Sequence, residues 1–213
     1  MIIFIPIKHI SQRVPNKNFR IFNNEPLYKN TLLKFTQDEV WVDNDSDVII
    51  DQIRKDERLN NINLIKRKKT LLGHKTSVCD LITNFIKEKQ ITEPIVQIHV
   101  TSPFLKRETI VKAYKNINNY DSIVSCNLHQ SRFWRKESYG YTPVNHNPIK
   151  LEQTQDLPTY YEENSAFYIF EPNVILTSGN RIGANPFFFP ISRPENLDID
   201  VEQDWNECLK EIK

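Results

Sequence analysis

The sequence predicts an α/β fold organised around a mostly parallel, doubly wound sheet. Residues 2–7 are apolar and mostly β-branched, which is typical of a strand buried on both faces of a parallel sheet. Segments with strand and helix patterns then alternate up to about residue 125. Polar loops follow three of the strands, at 8–18, 43–46 and 99–106. Because right-handed crossovers bring the carboxyl ends of parallel strands to one edge, we expect these loops to form a single site.

The other elements are predicted in chain order from short apolar runs and from helical spacing. In the third helical segment, for example, Val78, Leu81, Ile82 and Phe85 fall on one side. After the first strand, strands are predicted at 39–42, 62–65, 94–98, 121–125, 165–170 and 186–190. Helices are predicted at 28–35, around 48–53, at 77–87, 107–117 and 172–178, and from about residue 201 onward.

The segment 128–163 differs from the rest of the chain. Aromatic residues, charges and prolines alternate there without a helical period, and the segment is longer than a loop without structure or function usually is. We predict a β-rich arm that leaves the sheet, and three interpretations stay open: a subunit interface, part of a substrate pocket, or a small core of its own. With no repeat, low-complexity tract or linker, the sequence predicts one domain over 1–213 that carries this arm.

Composition excludes several classes of protein. Apolar content is 39% and charged content 26% over 213 residues, as in an ordinary globular domain. A net charge of +1 gives no indication of a nucleic-acid or membrane partner, and the basic run at 66–69 is interpreted as solvated surface. With only 4 glycines, the chain has no Gly-rich phosphate loop of the Walker or Rossmann type.

Cysteine usage and hydropathy predict a cytoplasmic location. The three cysteines, Cys79, Cys126 and Cys208, have no metal-binding spacing and form no even disulfide set. No segment resembles a signal peptide or approaches the length of a membrane helix. His74 and His129 are interpreted as surface or structural residues, since no nucleophile–histidine arrangement is supported by the spacing.

The loop after the first strand is a candidate phosphate-binding site. It carries four cations within thirteen positions, mixed with Ser11 and two asparagines and stiffened by Pro15: Lys8, Arg13, Lys17 and Arg20. Cationic side chains and free backbone amides at the carboxyl edge of a sheet are suited to a polyphosphate. The alternative is a solvated surface loop.

A second candidate is a pair of carboxylates near the end of the chain. Asp198 and Asp200 alternate around Ile199, so on an extended segment both side chains point to one face, about 7 Å apart. Two carboxylates in this arrangement suit Mg²⁺ that bridges phosphates. The alternative is capping of the last helix, because Asp200, Glu202 and Asp204 fall in or near its first turn.

The opening segment also resembles a known family. It is similar to the N-terminal signature of the sugar-acid cytidylyltransferases, which include the CMP-sialic acid and CMP-Kdo synthetases. The signature is a strand followed by Ala-Arg-x-x-Ser-Lys-x-x-Pro-x-Lys-Asn. Lys8 stands at its arginine, and four positions match directly: Ser11, Pro15, Lys17 and Asn18.

One departure from this signature concerns the phosphates. Gln12 replaces the lysine that the family assigns to the nucleotide phosphates, and Arg13 follows one place later. Two alternatives follow from the resemblance: Arg13 substitutes for that lysine, or the activity is weakened.

Other segments resemble the family in the same order. Residues 41–45 resemble its Val-Ser-Thr-Asp, and Arg67 with Leu71 and Ser77 resembles its Arg-Pro-x-x-Leu…Ser segment. Residues 99–104 resemble Gln-Pro-Thr-Ser-Pro-Leu, with His99 in place of the glutamine that helps to recognise the sugar acid. Residues 161–168 resemble the segment ending Asn-Gly-Ala-x-Tyr, 187–189 fall on an aromatic stretch of the sugar pocket, and 197–205 resemble Ile-Asp-Ile-Asp-x-x-x-Asp.

The resemblance implies a role for each matching residue. Catalysis would depend on Lys17, Arg13 and Asp200, and Mg²⁺ would be bound by Asp198 and Asp200. CTP would be bound by Lys8, Ser11, Gln12, Arg13, Lys17, Asn18, Arg67 and Ser77. The sugar acid would be bound by His99, Thr101, Ser102, Asn164, Tyr168 and Phe188.

The resemblance also implies the fold and the reaction. The fold would be a Rossmann-like nucleotidyltransferase of the GT-A-like type, a three-layer sandwich that dimerises through the 128–163 arm. The enzyme would join CMP from CTP to an α-keto sugar acid and release pyrophosphate. The acid itself stays open among sialic, legionaminic and pseudaminic acids and Kdo.

Three alternative functions stay open. His99 and Gln12 favour a nucleotidyltransferase of the same fold with another sugar or base. The loss of the phosphate-binding lysine favours a nucleotide-binding relative without catalysis. The third alternative is a carbohydrate-binding module that binds no nucleotide, and the cationic loop argues against it because it would have no function there.

Overall fold

The strands and helices agree with the predicted order. The computed structural model describes residues 1–73 and 75–212, so His74 and Lys213 lie outside the described residues. Its strands are β1 Ile2–Ile7, β2 Ile21–Phe22, β3 Glu25–Pro26, β4 Glu39–Asn44, β5 Asn63–Lys66, β6 Ile95–Ile98, β7 Ser122–His129, β8 Trp134–Glu137, β9 Gly140–Pro143, β10 Tyr160–Phe170 and β11 Pro186–Pro190. Its helices are α1 Leu27–Leu32, α2 Asp47–Arg54, α3 Val78–Lys89, α4 Arg107–Tyr114, α5 Pro172–Ser178 and α6 Glu202–Glu211.

Seven strands form one mostly parallel sheet, as predicted. The order across the sheet is β11-β7-β10-β6-β1-β4-β5, and β10 runs antiparallel to both of its neighbours. The other pairings in this sheet are parallel. β10 is reversed because the chain leaves β7 at the carboxyl edge and returns to the sheet from that same edge, as in a long hairpin.

Helices cover both faces of the sheet, so the three-layer arrangement is confirmed. Ile3, Ile5 and Ile7 of β1 belong to a buried cluster that also contains residues of α1, α2 and α4. Ile2 and Phe4 point to the opposite face and pack with residues of α3 and α5. Because alternate side chains of a strand point to opposite faces, a strand covered on both faces is apolar throughout.

A smaller cluster joins the opening loop to the end of the chain. Phe22, Leu27, Ile199, Trp205 and Cys208 are buried together, so α6 packs beside α1 and the segment that precedes it. This packing holds residues 198–200, which lead into α6, against the same edge of the sheet as the cationic loop. The candidate site depends on this contact.

The 128–163 segment contains strands that stand apart from the main sheet. β8 and β9 form a separate two-stranded sheet, and the outer halves of β7 and β10 pair from Tyr160 with His129 to Glu163 with Cys126. His129 Nε2 also lies 2.7 Å from Glu162 Oε2, within hydrogen-bond distance. Large apolar side chains of the segment are exposed, among them Trp134, Tyr139, Tyr141, Ile149 and Leu151.

Across residues 1–73 and 75–212, the helices are too short and too polar for any of them to cross a membrane.

Candidate active site

The three polar loops predicted to converge do meet at the carboxyl edge of the sheet. The backbone amide of His9 donates to Asp45 Oδ1 at 2.7 Å, and the hydroxyl of Ser46 lies 2.9 Å from His9 Nδ1. On the other side, the amide of Ile199 donates to the carbonyl of Thr101 at 2.9 Å. The loops at 8–18, 43–46 and 99–106 and the 198–200 segment therefore surround one site.

Local geometry shapes the cationic loop into the wall of a cavity. Asn16 adopts a left-handed conformation (φ 53°), which asparagine tolerates better than most residues, and the chain turns there. Val14 is buried beneath the loop, and Asn18 Nδ2 donates to the carbonyl of Lys8 at 2.7 Å, which closes the loop on itself. Asn18 thus holds the shape of the loop in this structure.

The cavity inside this loop has a volume of about 210 Å³. Most of the predicted nucleotide-binding residues line it, together with residues 99–101 from the next loop: Lys8, Ser11, Gln12, Arg13, Lys17 and Asn18. Three of the lining side chains are cationic, so an anionic ligand is favoured there.

Two cations of the loop contact the segment that carries the predicted carboxylate pair. Both terminal nitrogens of Arg13 donate to the two oxygens of Asp200, at 2.6 and 3.1 Å. Lys17 Nζ donates to the carbonyl of Ile199 at 2.6 Å, between the two aspartates. Residues that lie 187 positions apart in sequence, Arg13 and Asp200, are therefore paired across the cleft.

Asp198 is the more enclosed of the two carboxylates. Burial raises the pKa of Asp198 to about 6, against the opposing effect of the Lys17 ammonium. Within the described residues, Asp198 Oδ1 is buried without a hydrogen-bond partner. A buried carboxylate oxygen without a partner is an unsatisfied acceptor, and a cation placed there would stabilise it. The donor set of Asp198 and Asp200 therefore fits Mg²⁺.

Of the three acids considered for capping the last helix, Asp200, Glu202 and Asp204, it is Asp204 that caps it. Asp204 Oδ2 accepts the backbone amides of Asp200 and Val201, each at 2.8 Å, at the start of α6. The side chains of Asp198 and Asp200 take no part in this cap, and that of Asp200 is bonded to Arg13 instead.

The predicted nucleotide residues Arg67 and Ser77 lie in or near a second cavity. This cavity, also about 210 Å³, shares Pro6, Lys8 and His99 with the first, and it is lined by Arg67 as well. The Arg67 guanidinium is buried, and its Nε donates to Asp43 Oδ1 at 2.5 Å. Ser77 is exposed and caps α3, with its hydroxyl accepting the amide of Asp80 at 3.1 Å.

His99 lies between the two cavities and lines both of them. Burial lowers the pKa of His99 to about 4, and the neighbouring Arg181 and Lys17 cations act in the same direction. The imidazole is therefore neutral at physiological pH, so one ring nitrogen can donate and the other can accept.

Arg181 lies close to three of the candidate site's elements, and sequence reasoning did not predict it there. It lies in the loop after α5, and its guanidinium carbon stands 3.8 Å from the centre of the Tyr168 ring. It also donates a hydrogen bond to Gln97, which is fully buried in β6. No sequence signal pointed to this residue, because its partner Gln97 is 84 positions away and only the fold brings them together.

The other predicted sugar-binding residues lie around the junction of β6, β7 and β10. Asn164 Nδ2 donates to Asn127 Oδ1 at 3.1 Å, and the hydroxyl of Tyr168 donates to Glu163 at 2.9 Å. Burial raises the pKa of Tyr168, so its hydroxyl stays protonated. Phe188 is half-buried, with its ring 5.9 Å from that of Tyr161.

Two predicted residues in the 99–106 loop differ in accessibility. Thr101 lines the first cavity and its carbonyl holds the 198–200 segment. Ser102 is buried, and its hydroxyl has no hydrogen-bond partner within residues 1–73 and 75–212. The structure thus brings Thr101 to the cavity and leaves Ser102 behind it.

The mostly parallel sheet with helices on both faces is the fold of solved nucleotidyltransferase structures. CMP:2-keto-3-deoxy-manno-octonic acid synthetase has the same fold, with a TM-score of 0.68 at 13% identity over 98% of this chain and 96% of that one. 4-Diphosphocytidyl-2C-methyl-D-erythritol synthase is similar, with a TM-score of 0.69 at 12% identity and the same coverage. At such identities these likenesses show the fold alone.

The family follows from sequence comparison. The family model described as Cytidylyltransferase matches residues 2–213, so the chain belongs to the cytidylyltransferase family. The resemblance noted in the sequence is thereby confirmed.

Curated relatives cover most of the chain. The chain is 27% identical to CMP-N,N'-diacetyllegionaminic acid synthase of Legionella pneumophila, over 98% of this chain and 95% of that protein. It is 23% identical to N-acylneuraminate cytidylyltransferase of Streptococcus agalactiae serotype V, over 96% of this chain and 51% of that protein. N-acylneuraminate cytidylyltransferase A of Danio rerio is 25% identical over 92% of this chain and 46% of that protein. The chain therefore spans about half the length of the streptococcal and zebrafish relatives.

Proposed function

We propose that this protein transfers CMP from CTP to an α-keto sugar acid and releases pyrophosphate. The observation that carries the proposal is the contact between the cationic loop and the segment with two carboxylates. Arg13 is paired with Asp200, and Lys17 donates to the Ile199 carbonyl between Asp198 and Asp200. Both charge types are needed to bind a nucleoside triphosphate together with its metal ion. The names of the relatives from Legionella, Streptococcus and Danio support the same reaction.

The cationic loop would hold the triphosphate of CTP. Lys8, Ser11 and Gln12 line the first cavity beside Arg13 and Lys17, so phosphate oxygens entering it would meet three cations and two polar side chains. Arg13, one position after Gln12, would bind phosphate in place of the lysine that Gln12 replaces. The second cavity, with Arg67 in its wall and Ser77 at the adjoining end of α3, would take the nucleoside.

Asp198 and Asp200 would hold Mg²⁺, which, when bound, neutralises the charge on the phosphate oxygens. In the structure both terminal nitrogens of Arg13 donate to Asp200. For the metal and the triphosphate to bind, Arg13 would release this carboxylate and pair with a phosphate oxygen. Arg13 would thereby exchange the Asp200 carboxylate for a phosphate oxygen, and its charge would stay paired.

The chemistry would be an in-line displacement at the α-phosphorus. The anomeric hydroxyl of the sugar acid would form the new oxygen–phosphorus bond, the bond from the α-phosphorus to the bridging oxygen would break, and pyrophosphate would leave with that oxygen. The hydroxyl proton would pass to water. The chain would contribute orientation and charge neutralisation, with Lys17 and Arg13 stabilising the negative charge that develops on the leaving phosphates.

The acceptor would lie on the side of His99. Its neutral imidazole, with Thr101 in the same cavity and with Asn164, Tyr168 and Phe188 at the adjoining junction, offers donors, acceptors and an aromatic surface to a polyhydroxylated acid. Ser102 would support this loop from behind. The legionaminic and sialic acids named for the relatives are the acceptors to test first.

Two sequence departures favour a second candidate function, nucleotidyl transfer to a different sugar. His99 replaces the glutamine, and Gln12 the lysine, of the family signature. An imidazole cannot reproduce the two-donor, one-carbonyl pattern of a glutamine amide. We therefore expect His99 to bind an acceptor whose hydrogen-bonding groups differ from those that the glutamine recognises.

We also propose a cytoplasmic homodimer. The exposed side chains Trp134, Tyr139, Tyr141, Ile149 and Leu151 gather in the 128–163 arm, and apolar patches of this kind mark association surfaces. The three cysteines are free thiols, which is consistent with a reducing compartment. A molecular mass near twice 25.2 kDa in light scattering would be expected, and a monomer at all concentrations would exclude the dimer.

The proposed reaction is tested by pyrophosphate release with CTP, Mg²⁺ and a panel of sugar acids. Wild type is compared with Asp200→Asn and with Asp51→Asn, which changes an exposed carboxylate on α2 as a matched control. Release with one acid that is lost in Asp200→Asn and kept in Asp51→Asn is expected. If no sugar acid supports pyrophosphate release and another sugar substrate does, the second candidate function is favoured.

A further inference from the structure

A larger cavity lies behind the candidate site. It has a volume of about 520 Å³ and opens between α1, the start of α4 and the end of α6. The 99–106 loop separates it from the candidate site. On the cavity side, Lys34 Nζ donates to the carbonyl of Pro103, while on the other side the carbonyl of Thr101 holds Ile199.

Two ammonium groups line this cavity without a carboxylate partner. Within residues 1–73 and 75–212, neither Lys34 nor Lys106 lies within 4.0 Å of an acidic side chain. Burial lowers the pKa of Lys34 to about 8, so the ammonium has lost much of its hydration. A cation in this state gains more from an anionic partner than a solvated surface lysine does.

Most of the other charged groups in and beside the cavity already have partners of their own. Arg107 is bound by Asp38 through two hydrogen bonds of 2.6 and 3.0 Å. Glu211 is bound by Arg193 at 2.8 Å. Glu108 is exposed at the rim. Glu195 lies beside the cavity and opposes the lowering of the Lys34 pKa, but its two oxygens already accept from the Lys106 amide at 2.9 Å and from the Thr109 hydroxyl at 3.0 Å.

The walls combine aromatic and amide groups. Phe22 and Phe104 form an edge-to-face pair, with ring centres 5.6 Å apart, and both rings line the cavity. Asn30 Oδ1 is buried without a hydrogen-bond partner in the described part of the chain, and the side chains of Asn23 and Gln37 lie on the same cavity wall. A buried amide oxygen of this kind favours a ligand that brings a hydroxyl donor.

We propose that this cavity binds a sugar phosphate, with the phosphate on Lys34 and Lys106, the sugar ring against Phe104 and a sugar hydroxyl donating to Asn30 Oδ1. The site is distinct from the CTP site because the 99–106 loop lies between them. It does not depend on the reaction proposed above.

The test is calorimetric titration of the intact protein with glucose 6-phosphate, inorganic phosphate and glucose as probes. Glucose 6-phosphate is expected to bind saturably and more tightly than the other two, and saturating CTP is expected to leave this binding in place. Lys106→Gln, an exposed change that spares the fold, should weaken binding about tenfold, as for the loss of one charge-assisted hydrogen bond. Lys55→Gln, an exposed lysine just after α2, is the matched control and should bind like wild type.

A second variant tests the sugar part of the proposal. Asn30→Ala should reduce the preference for glucose 6-phosphate over inorganic phosphate and leave phosphate binding unchanged. Equal binding of inorganic phosphate and glucose 6-phosphate by wild type would overturn the sugar-phosphate assignment. Displacement by CTP, or identical binding by Lys106→Gln and wild type, would overturn the site itself.

Discussion

Replacing Asp198 by asparagine should stabilise the metal-free protein and abolish its activity. Burial raises the pKa of Asp198 to about 6 from an ordinary value of 3.8, so the folded state resists ionising this carboxyl. Each unit of pKa difference corresponds to about 1.4 kcal/mol, and the two-unit difference therefore costs about 3 kcal/mol of folding free energy once the group is charged. Asparagine has nearly the same shape and carries no charge, so it avoids this cost.

The sign of the pH dependence follows from the raised pKa. A carboxyl whose pKa is higher in the folded state favours folding most at pH values below its ordinary pKa, and this contribution is lost as the pH rises through about 6. The advantage of Asp198→Asn over wild type should accordingly be about 3 kcal/mol at pH 8 and about half of that at pH 5.

The assay is urea unfolding of wild type, Asp198→Asn and the exposed control Asp51→Asn in buffer with EDTA, at several pH values between 5 and 8. The control should match wild type within about 0.5 kcal/mol, as is usual for surface changes. Addition of CTP with Mg²⁺ should raise the stability of wild type and not that of Asp198→Asn. The reasoning fails if Asp198→Asn is less stable than wild type at pH 8, or if its advantage is the same at every pH.

Three further predictions concern the site and its support. Arg13→Gln should free Asp200, so that Mg²⁺ alone binds more tightly than to wild type. CTP should bind about tenfold more weakly, because one cation of the loop is lost. Calorimetry measures both, and unchanged binding of both would exclude the proposed exchange of partners. In an NMR titration the imidazole of His99 should change protonation near pH 4, because burial lowers its pKa, and a midpoint above 6 would contradict the enclosed position between the two cavities. Gly183→Ala should lower the free energy of unfolding by about 1–3 kcal/mol, because the added Cβ would lie 2.4 Å from the Asp121 carboxylate; a variant as stable as wild type in urea would show that this carboxylate moves aside freely.

Much of the fold could be predicted from local patterns. The apolar run of β1 predicted burial on both faces, and the structure places its alternate side chains in the two main buried clusters. The convergence of three polar loops followed from the rule that parallel strands end at one edge, and the contacts from His9 to Asp45 and from Ile199 to Thr101 agree with it. What could not be predicted is the reversal of β10, because strand direction depends on where the arm re-enters the sheet.

The charged groups of the candidate site could be identified from the sequence, but their contacts are known only from the folded structure. The spacing of Asp198 and Asp200 predicted both carboxylates on one side of the chain, yet only the fold set Arg13 against Asp200 and gave the helix cap to Asp204. Arg181 carried no sequence signal at all. The physical reason is that periodicity acts over a few residues, whereas ion pairs and burial depend on distances in space between residues that lie far apart in the chain.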